Sequence, residues 1–522
     1  MSYDSSHRGR RHHAFLFRHC VRSTKSKVKL YNGDSKASTH IADYIAKPLP
    51  KWNTPNEWCT ETAMEIMQNT GGFLVDNIFV GDDRTNKRIK IRFVSDTSQR
   101  DVDTSLALSL GMNAASLKHQ NFHIDGLSNL RLDHALFQPF DDGDYSRTTR
   151  CAEFYAPNQI ATDIEHRLNT VPPPDSDLLA VLTLLHHLGG KGDSSLFSIE
   201  PPSDMYLNRT EMKLAGAINV IKLIGQMLFY SRAGGIDPPF LHKATLDSVY
   251  EILEWVHWSR SVLSVDNVEV ATQGAVIAEA ILQSLNGGHF GEDTCGSDYD
   301  ICATVFVGHD STIDAVATAL ALRWKLKPPY RTGRDSIGEY VPTPPGGAMH
   351  FIHDESEGCL ELAFIYPVFF SGKGSQWVLN KTGILESVPM TLKFPIEGVT
   401  ISRSSEIATL ISSVDSFPFG MRKMMLSILT LYPGSYDCYK DILNSTTIFS
   451  SLEQERSDMT FAGLLVSNLF LVMTLVACTF LIRRRIQTFP RQAKYSHVLA
   501  DDIQINIECV RLEEATQTTS MS

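Results

Sequence analysis

The sequence predicts an α/β protein with a helical cap inserted into its core and one membrane-spanning helix near the carboxyl end. Three observations predict it. Short apolar runs recur in both halves of the chain and stop at polar clusters, as buried strands do when they feed a pocket at their carboxyl ends. The long stretch between them has helical periodicity. Residues 459–482, MTFAGLLVSNLFLVMTLVACTFLI, carry no charge and are followed at once by Arg483, Arg484 and Arg485.

The first strand is expected over residues 14–17, within HAFLFRHCVRST, and it ends at Arg18, His19, Cys20 and Arg22. Residues 89–94, IKIRFV, alternate apolar and basic side chains like a half-buried strand. The middle region then changes character. Residues 175–190 open on the capping residues Asp175 and Ser176 and stop at Gly189 and Gly190, as a helix does. Leu214, Ile218, Ile221 and Leu228 trace one further helical face, and Leu246, Val249, Leu253 and Val256 another. The loop-like NTVPPPDSD and SRAGGIDPP read as hinges between these helices. Strand signals return with ICATVFV at 301–307, CLELAFIYPVF from Cys359, and WVLNKTG followed by VPMTLKF with a turn between. The core is therefore expected over about residues 14–115 and 260–440, and the cap over about residues 116–259.

Residues 459–482 are long enough to cross a hydrocarbon core of about 30 Å as a helix. The arginine triplet keeps its own side cytosolic, so residues 1–458 are expected to face the lumen or exterior and residues 483–522 to form a cytoplasmic tail, a single-pass type I layout. The amino-terminal MSYDSSHRGRRHHAFLF has no apolar stretch long enough for a signal peptide, so we expect the gene to carry one upstream. YSHV at 495–498 resembles a tyrosine-based sorting signal, which implies a sorting adaptor at Tyr495 and vacuolar, lysosomal or surface delivery.

Composition narrows the classes. Of 522 residues, 43% are apolar, enough for a real core, and the formal charge of −11 argues against nucleic acid as a partner. Seven of the nine cysteines precede residue 459, so they cannot all pair with one another. Cys20, beside the polar cluster, is expected to be the unpaired one. Sequons begin at Asn208, Asn380 and Asn444, all on the expected lumenal side.

FLFRHCVRST resembles the RHGxRxP signature of the histidine acid phosphatases, within the phosphoglycerate-mutase-like superfamily. VFVGHDSTIDAVATAL resembles the same family's downstream His-Asp motif, after a strand and before a helix. IRFVSDTSQRDVDTSLALSLGM looks like the segment that holds a third arginine, and CTETAMEIM like a threonine-containing helix start. The likeness covers roughly residues 14–400, including PPGGAMHFI. It implies a three-layer αβα core and a layout similar to lysosomal acid phosphatase.

The chemistry of these residues agrees with the resemblance. A phosphomonoester presents anionic oxygens that planar guanidinium groups match bidentately, so Arg18, Arg22 and Arg100 are the candidate phosphate ligands, with His309 donating a further hydrogen bond. Neutral His19 is the candidate nucleophile, forming a phosphohistidine, and Asp310 the proton donor to the leaving alkoxide. No metal or cofactor is required. Cysteine-dependent tyrosine phosphatases are a rival, but Ser26 stands six residues after Cys20, where that mechanism needs arginine. His353 and Asp354, in FIHDESEG, repeat the letters His-Asp in an acidic stretch and are expected in a surface loop. His186 and His187 lack a second ligand pair at metal spacing.

The expected activity is hydrolysis of small phosphomonoesters at acidic pH, by a chain that forms a homodimer. Cys20 where the family has glycine, Thr24 where it has proline and Asp101 where it has threonine keep a silent binding module of the same fold as the alternative. A phytase or inositol-phosphate phosphatase differs only in substrate.

Overall fold

The computed structural model describes residues 10–23, 52–80, 87–119, 122–139, 204–208, 211–215, 226–227, 229–236, 268–286, 295, 298–327, 343–355, 358–373, 376–393, 395–396, 399–412, 419–431 and 434–443. Its centre is a mixed sheet. We number the strands of its main path β1 (Arg11–Arg18), β2 (Lys87–Ser95), β3 (Phe122–Asp125), β4 (Ile301–Gly308), β5 (Ala348–Asp354), β6 (Cys359–Pro367), β7 (Val399–Arg403) and β8 (Ala408–Ser412). They lie in the order β7-β8-β6-β5-β1-β4-β2-β3, with Leu130–Leu132 beside β2 and Leu385–Pro389 beside β6. β1, β4, β2 and β3 pair in parallel, whereas β5 runs antiparallel to β1 and opens the antiparallel half. The strands expected at residues 89–94, at 301–307 and from Cys359 fall in β2, β4 and β6.

β1 is central, so its apolar run is covered on both faces. Phe15, Leu16 and Phe17 are fully buried, and burying each contributes roughly 2 kcal/mol. Two helix pairs pack on the sheet, which fits a three-layer αβα core: α1 (Glu61–Phe73) with α2 (Gln99–Ser116), and α3 (Val268–Leu285) with α4 (Asp310–Ala319). Thr60 caps α1 by accepting from the Ala63 N–H. Glycine lets each pair approach backbone to backbone. A Cβ on Gly111 would lie 1.7 Å from the Gln68 carbonyl oxygen, and one on Gly274 would lie 1.9 Å from that of Ala315.

Three expectations are corrected. Leu214 does not begin a helical face; it lies in the strand Glu211–Ala215, paired antiparallel with Asp204–Asn208. In DMYLN and EMKLA the apolar residues alternate, and that period of two prevails over helical spacing. His353 and Asp354 are not in a surface loop but end β5. His353 is buried and its Nδ1–H donates to the Leu285 carbonyl at 2.8 Å, while Asp354 pairs with Arg11 at 3.0 Å, because pairing with β1 and β6 carries the strand through this acidic stretch. Cys20 is not unpaired; it is joined to Cys59, and Cys295 is joined to Cys302. The helices expected at residues 175–190 and 246–256, the sequon at Asn444, the run at 459–482 and Tyr495 lie outside the described residues. Among the described residues no helix is long and apolar enough to cross a membrane.

The core also buries imidazoles. His13 Nδ1 and His350 Nε2 are 3.0 Å apart, so one ring donates to the other, and His350 stacks on Phe15 with ring centroids 4.1 Å apart. Burial, reinforced by the charges of Arg11, His12 and Lys87, pushes His13 down from 6.5 to about 3. Below pH 6.5 the unfolded chain therefore takes up a proton that the folded chain refuses, and stability falls until about pH 3. At pH 5 this one group costs about 2 kcal/mol relative to pH 7. Denaturant unfolding at the two pH values should show a smaller pH-dependent loss in His13→Leu than in the parent, by about that amount; equal losses would refute this account.

Candidate active site

Parallel strands deliver the site. β1 ends at Arg18 and leads into His19, β4 ends at Gly308 and leads into His309 and Asp310, and β2 ends at Ser95 and leads through Asp96 to Arg100 in the first turn of α2. Their carboxyl ends are level because the backbones cross-link there: His19 N–H donates to the Gly308 carbonyl at 2.9 Å, and Asp96 N–H to that of Val307 at 3.0 Å. A pocket beyond the carboxyl ends of parallel strands is where an open α/β sheet places a ligand. Arg18, His19, Arg22, Arg100, His309 and Asp310 meet at this end.

His19 is buried, and its Nδ1–H donates to the Cys20 carbonyl at 2.8 Å, which leaves the Nε2 lone pair available. Burial, then the charges of Arg100, Arg18, His309 and Arg22, hold this imidazole well below 6.5. It is neutral at neutral and mildly acidic pH.

Each arginine is held. Arg18 donates to the Thr343 carbonyl and to the Tyr230 hydroxyl, and its Nη2 lies 3.1 Å from Asp310 Oδ2. The guanidinium groups of Arg18 and Arg22 lie 6.0 and 5.7 Å from the Tyr230 ring centroid. Arg100 Nη2 donates to His309 Nδ1 at 3.1 Å. Among the described residues, the buried Nε–H groups of Arg18 and Arg100 meet no acceptor.

Because His309 accepts at Nδ1, its proton is on Nε2, 3.0 Å from Asp96 Oδ2 and 3.7 Å from Asp101 Oδ2. Burial works to raise the Asp96 carboxyl, but hydrogen bonds from His309 and His134 outweigh it and hold the group below the usual carboxylate range. Burial pushes Asp101 up to about 6, against the pull of His309 and a hydrogen bond from Ser98. Ligand atoms of Asp96, Asp101 and His309 lie within 4.8 Å of one another, a spacing a metal ion would also use. Arg100, bonded to the same imidazole, sets a fixed cation against that use.

Asp96, Glu57 and Tyr230 were not anticipated from sequence. Asp96 had a local signal, since it directly follows a strand end and precedes the candidate Arg100. Glu57 and Tyr230 had none, because only chain packing brings them to the arginines.

The sequence matches no family model and no curated protein. Solved structures do resemble this one. A phytase from a Klebsiella species superposes with a TM-score of 0.54 at 14% identity, covering 82% of this chain and 97% of that one. The Hafnia alvei phytase in complex with myo-inositol hexakis sulphate gives 0.51 at 16% identity, covering 82% and 98%. A Citrobacter braakii phytase gives 0.50 at 16% identity, covering 80% and 98%.

The fold is that of the histidine acid phosphatases. Identities this low speak for the histidine acid phosphatase fold, and the chemistry has to be argued from this chain's own residues.

The disulfide stitches the loop after β1 to the residues before α1. Cys20 N–H also donates to Thr104 Oγ1 at 2.8 Å, and Thr104 in turn donates to the Arg100 carbonyl at 2.6 Å, so the loop is tied to α2 as well. Closing a loop across a separation of 39 residues contributes about 4 kcal/mol by chain entropy. A Cys20→Ser, Cys59→Ser double variant should lose about that much in denaturant unfolding, and an unchanged midpoint would refute the bond's role.

Proposed function

We propose that the chain is a phosphoric monoester hydrolase that works through a phosphohistidine at His19. The observation that carries this is the neutral, buried imidazole with its Nε2 lone pair available amid Arg18, Arg22 and Arg100. The arginines hold the phosphoryl oxygens and spread the charge of the transition state. The Nε2 lone pair forms the P–N bond as the ester P–O bond breaks, and Asp310 gives its proton to the departing alkoxide. Water then attacks phosphorus, the P–N bond breaks, and Asp310 takes the proton back.

Arg18 pairs with Asp310 in the structure, and a bound phosphate competes for that guanidinium. The carboxyl is then left beside an anion, an environment that favours its protonated form. Phosphate likewise competes for Arg100, which otherwise donates to His309 Nδ1.

The phytase likeness admits inositol phosphates as substrates, and the Hafnia protein holds a hexakis sulphate. Among the described residues, however, Glu57 spans Arg22 and Arg100, Asp310 pairs with Arg18 and Asp101 lies near Arg100, a balance better suited to a small monoester than to a polyphosphate. We also propose a lumenal or extracellular setting for residues 1–458, anchored by residues 459–482; the Cys20–Cys59 and Cys295–Cys302 disulfides suit an oxidising compartment.

His19→Ala should lower turnover of p-nitrophenyl phosphate by about a thousandfold and abolish an acid-labile phosphoryl adduct, while Cys20→Ser should retain the adduct. Hydrolysis surviving in His19→Ala would overturn the assignment. Because burial and the neighbouring cations hold His19 well below 6.5, its nucleophilic form should persist on acidification and turnover should not fall from pH 7 to pH 5; a loss of rate following an ordinary imidazole titration near 6.5 would contradict the assignment.

A further inference from the structure

Glu57 occupies the approach to two of the phosphate ligands. Its Oε1 lies 3.8 Å from Arg22 Nη1 and its Oε2 lies 3.7 Å from Arg100 Nη1, so one carboxylate spans two guanidinium groups. The separations are too long for good hydrogen bonds, and the attraction is Coulombic. The backbone of Glu57 is left-handed, with φ 69°, a conformation that is strained for any residue carrying a Cβ.

Strain at an exposed pair does not persist unless its surroundings impose it. Here they do. The Cys20–Cys59 disulfide and the bridge between Arg22 and Cys59 fasten this segment to the loop after β1. Hydrogen bonds add to the clamp: Glu57 N–H donates to the Ser23 carbonyl at 3.2 Å, Ser23 N–H to that of Trp58 at 2.9 Å, and Thr60 N–H to that of Val21 at 3.1 Å. The carboxylate is thus fixed beside the arginines by the segment that also shapes the signature loop.

We propose that Glu57 is a resident counter-anion of the phosphate pocket, a specificity-determining residue that an incoming phosphoryl group must displace from Arg22 and Arg100. This rests on reading the pocket as a phosphomonoester site. Binding is then an exchange of anions. Near neutral pH a terminal phosphoryl group, with close to two charges and three oxygens, outcompetes a single carboxylate for two planar cations. Carboxylates, sulphate esters and phosphodiesters carry one charge and do not, so Glu57 raises the threshold for entry and restricts the site to phosphomonoesters.

The test is calorimetric titration of inorganic phosphate into the full chain, the Glu57→Gln variant and the Glu57→Gly variant. The glycine variant suits the left-handed backbone and guards against misfolding of the first. Both variants should bind phosphate about tenfold more tightly than the parent. Unchanged or weaker binding in the variants would show that Glu57 positions the arginines instead, and would overturn the proposal, as would binding to none of the three. The readout needs no turnover: variants that bind more tightly while no form hydrolyses an ester would sink the enzymatic reading and leave this one standing.

Discussion

Three guanidinium groups do not gather round one point unaided, and their mutual repulsion is the constraint that the rest of the pocket answers. Arg18 is held by Asp310, Tyr230 and the Thr343 carbonyl; Arg22 and Arg100 share Glu57; and Arg100 leans on an imidazole whose other nitrogen reaches Asp96. Each contact neutralises or disperses charge before any ligand arrives. Charge balanced in this way lets the three arginines be held in place without destabilising the folded chain.

Burial of imidazole is put to two uses in the same strand. His19, at the carboxyl end of β1, is kept neutral by burial and by surrounding cations, which is the state a nucleophile needs. His13, near the other end, is neutral for the same physical reason but packs against His350 and the rings of Phe15 and Phe79. Its cost appears only on acidification. The same burial therefore keeps one imidazole neutral at the candidate site and makes the core sensitive to acid at the other end of the strand.

The loop after β1 departs from the histidine acid phosphatase pattern that it resembles at a point where the structure offers a physical substitute. Glycine permits unusual backbone angles; Cys20 does not need them, because its side chain turns away into a disulfide with Cys59 and its N–H is satisfied by Thr104. The unusual backbone angle is found instead at Glu57, two residues before the bonded partner. Flexibility lost in the loop is replaced by a covalent clamp that also brings a carboxylate to the arginines.

The fold class and the central strands were legible in the amino-acid sequence because apolar runs such as those ending at Arg18 and Gly308 can be buried only by pairing, and each is followed at once by the polar residues it delivers. The six candidate residues came from the likeness of their motifs to those of the histidine acid phosphatases, and the fold brings them to one end of the sheet because each lies at or beyond the carboxyl end of a parallel strand. Leu214, His353 and Cys20 were misread because short segments satisfy more than one local pattern, and the neighbouring strand or the partner cysteine decides between them. The proton position on His309, the neutrality of His19 and the presence of Glu57 between two arginines were decided only by tertiary structure. Charge, burial and distance between remote segments do not exist until the chain has folded.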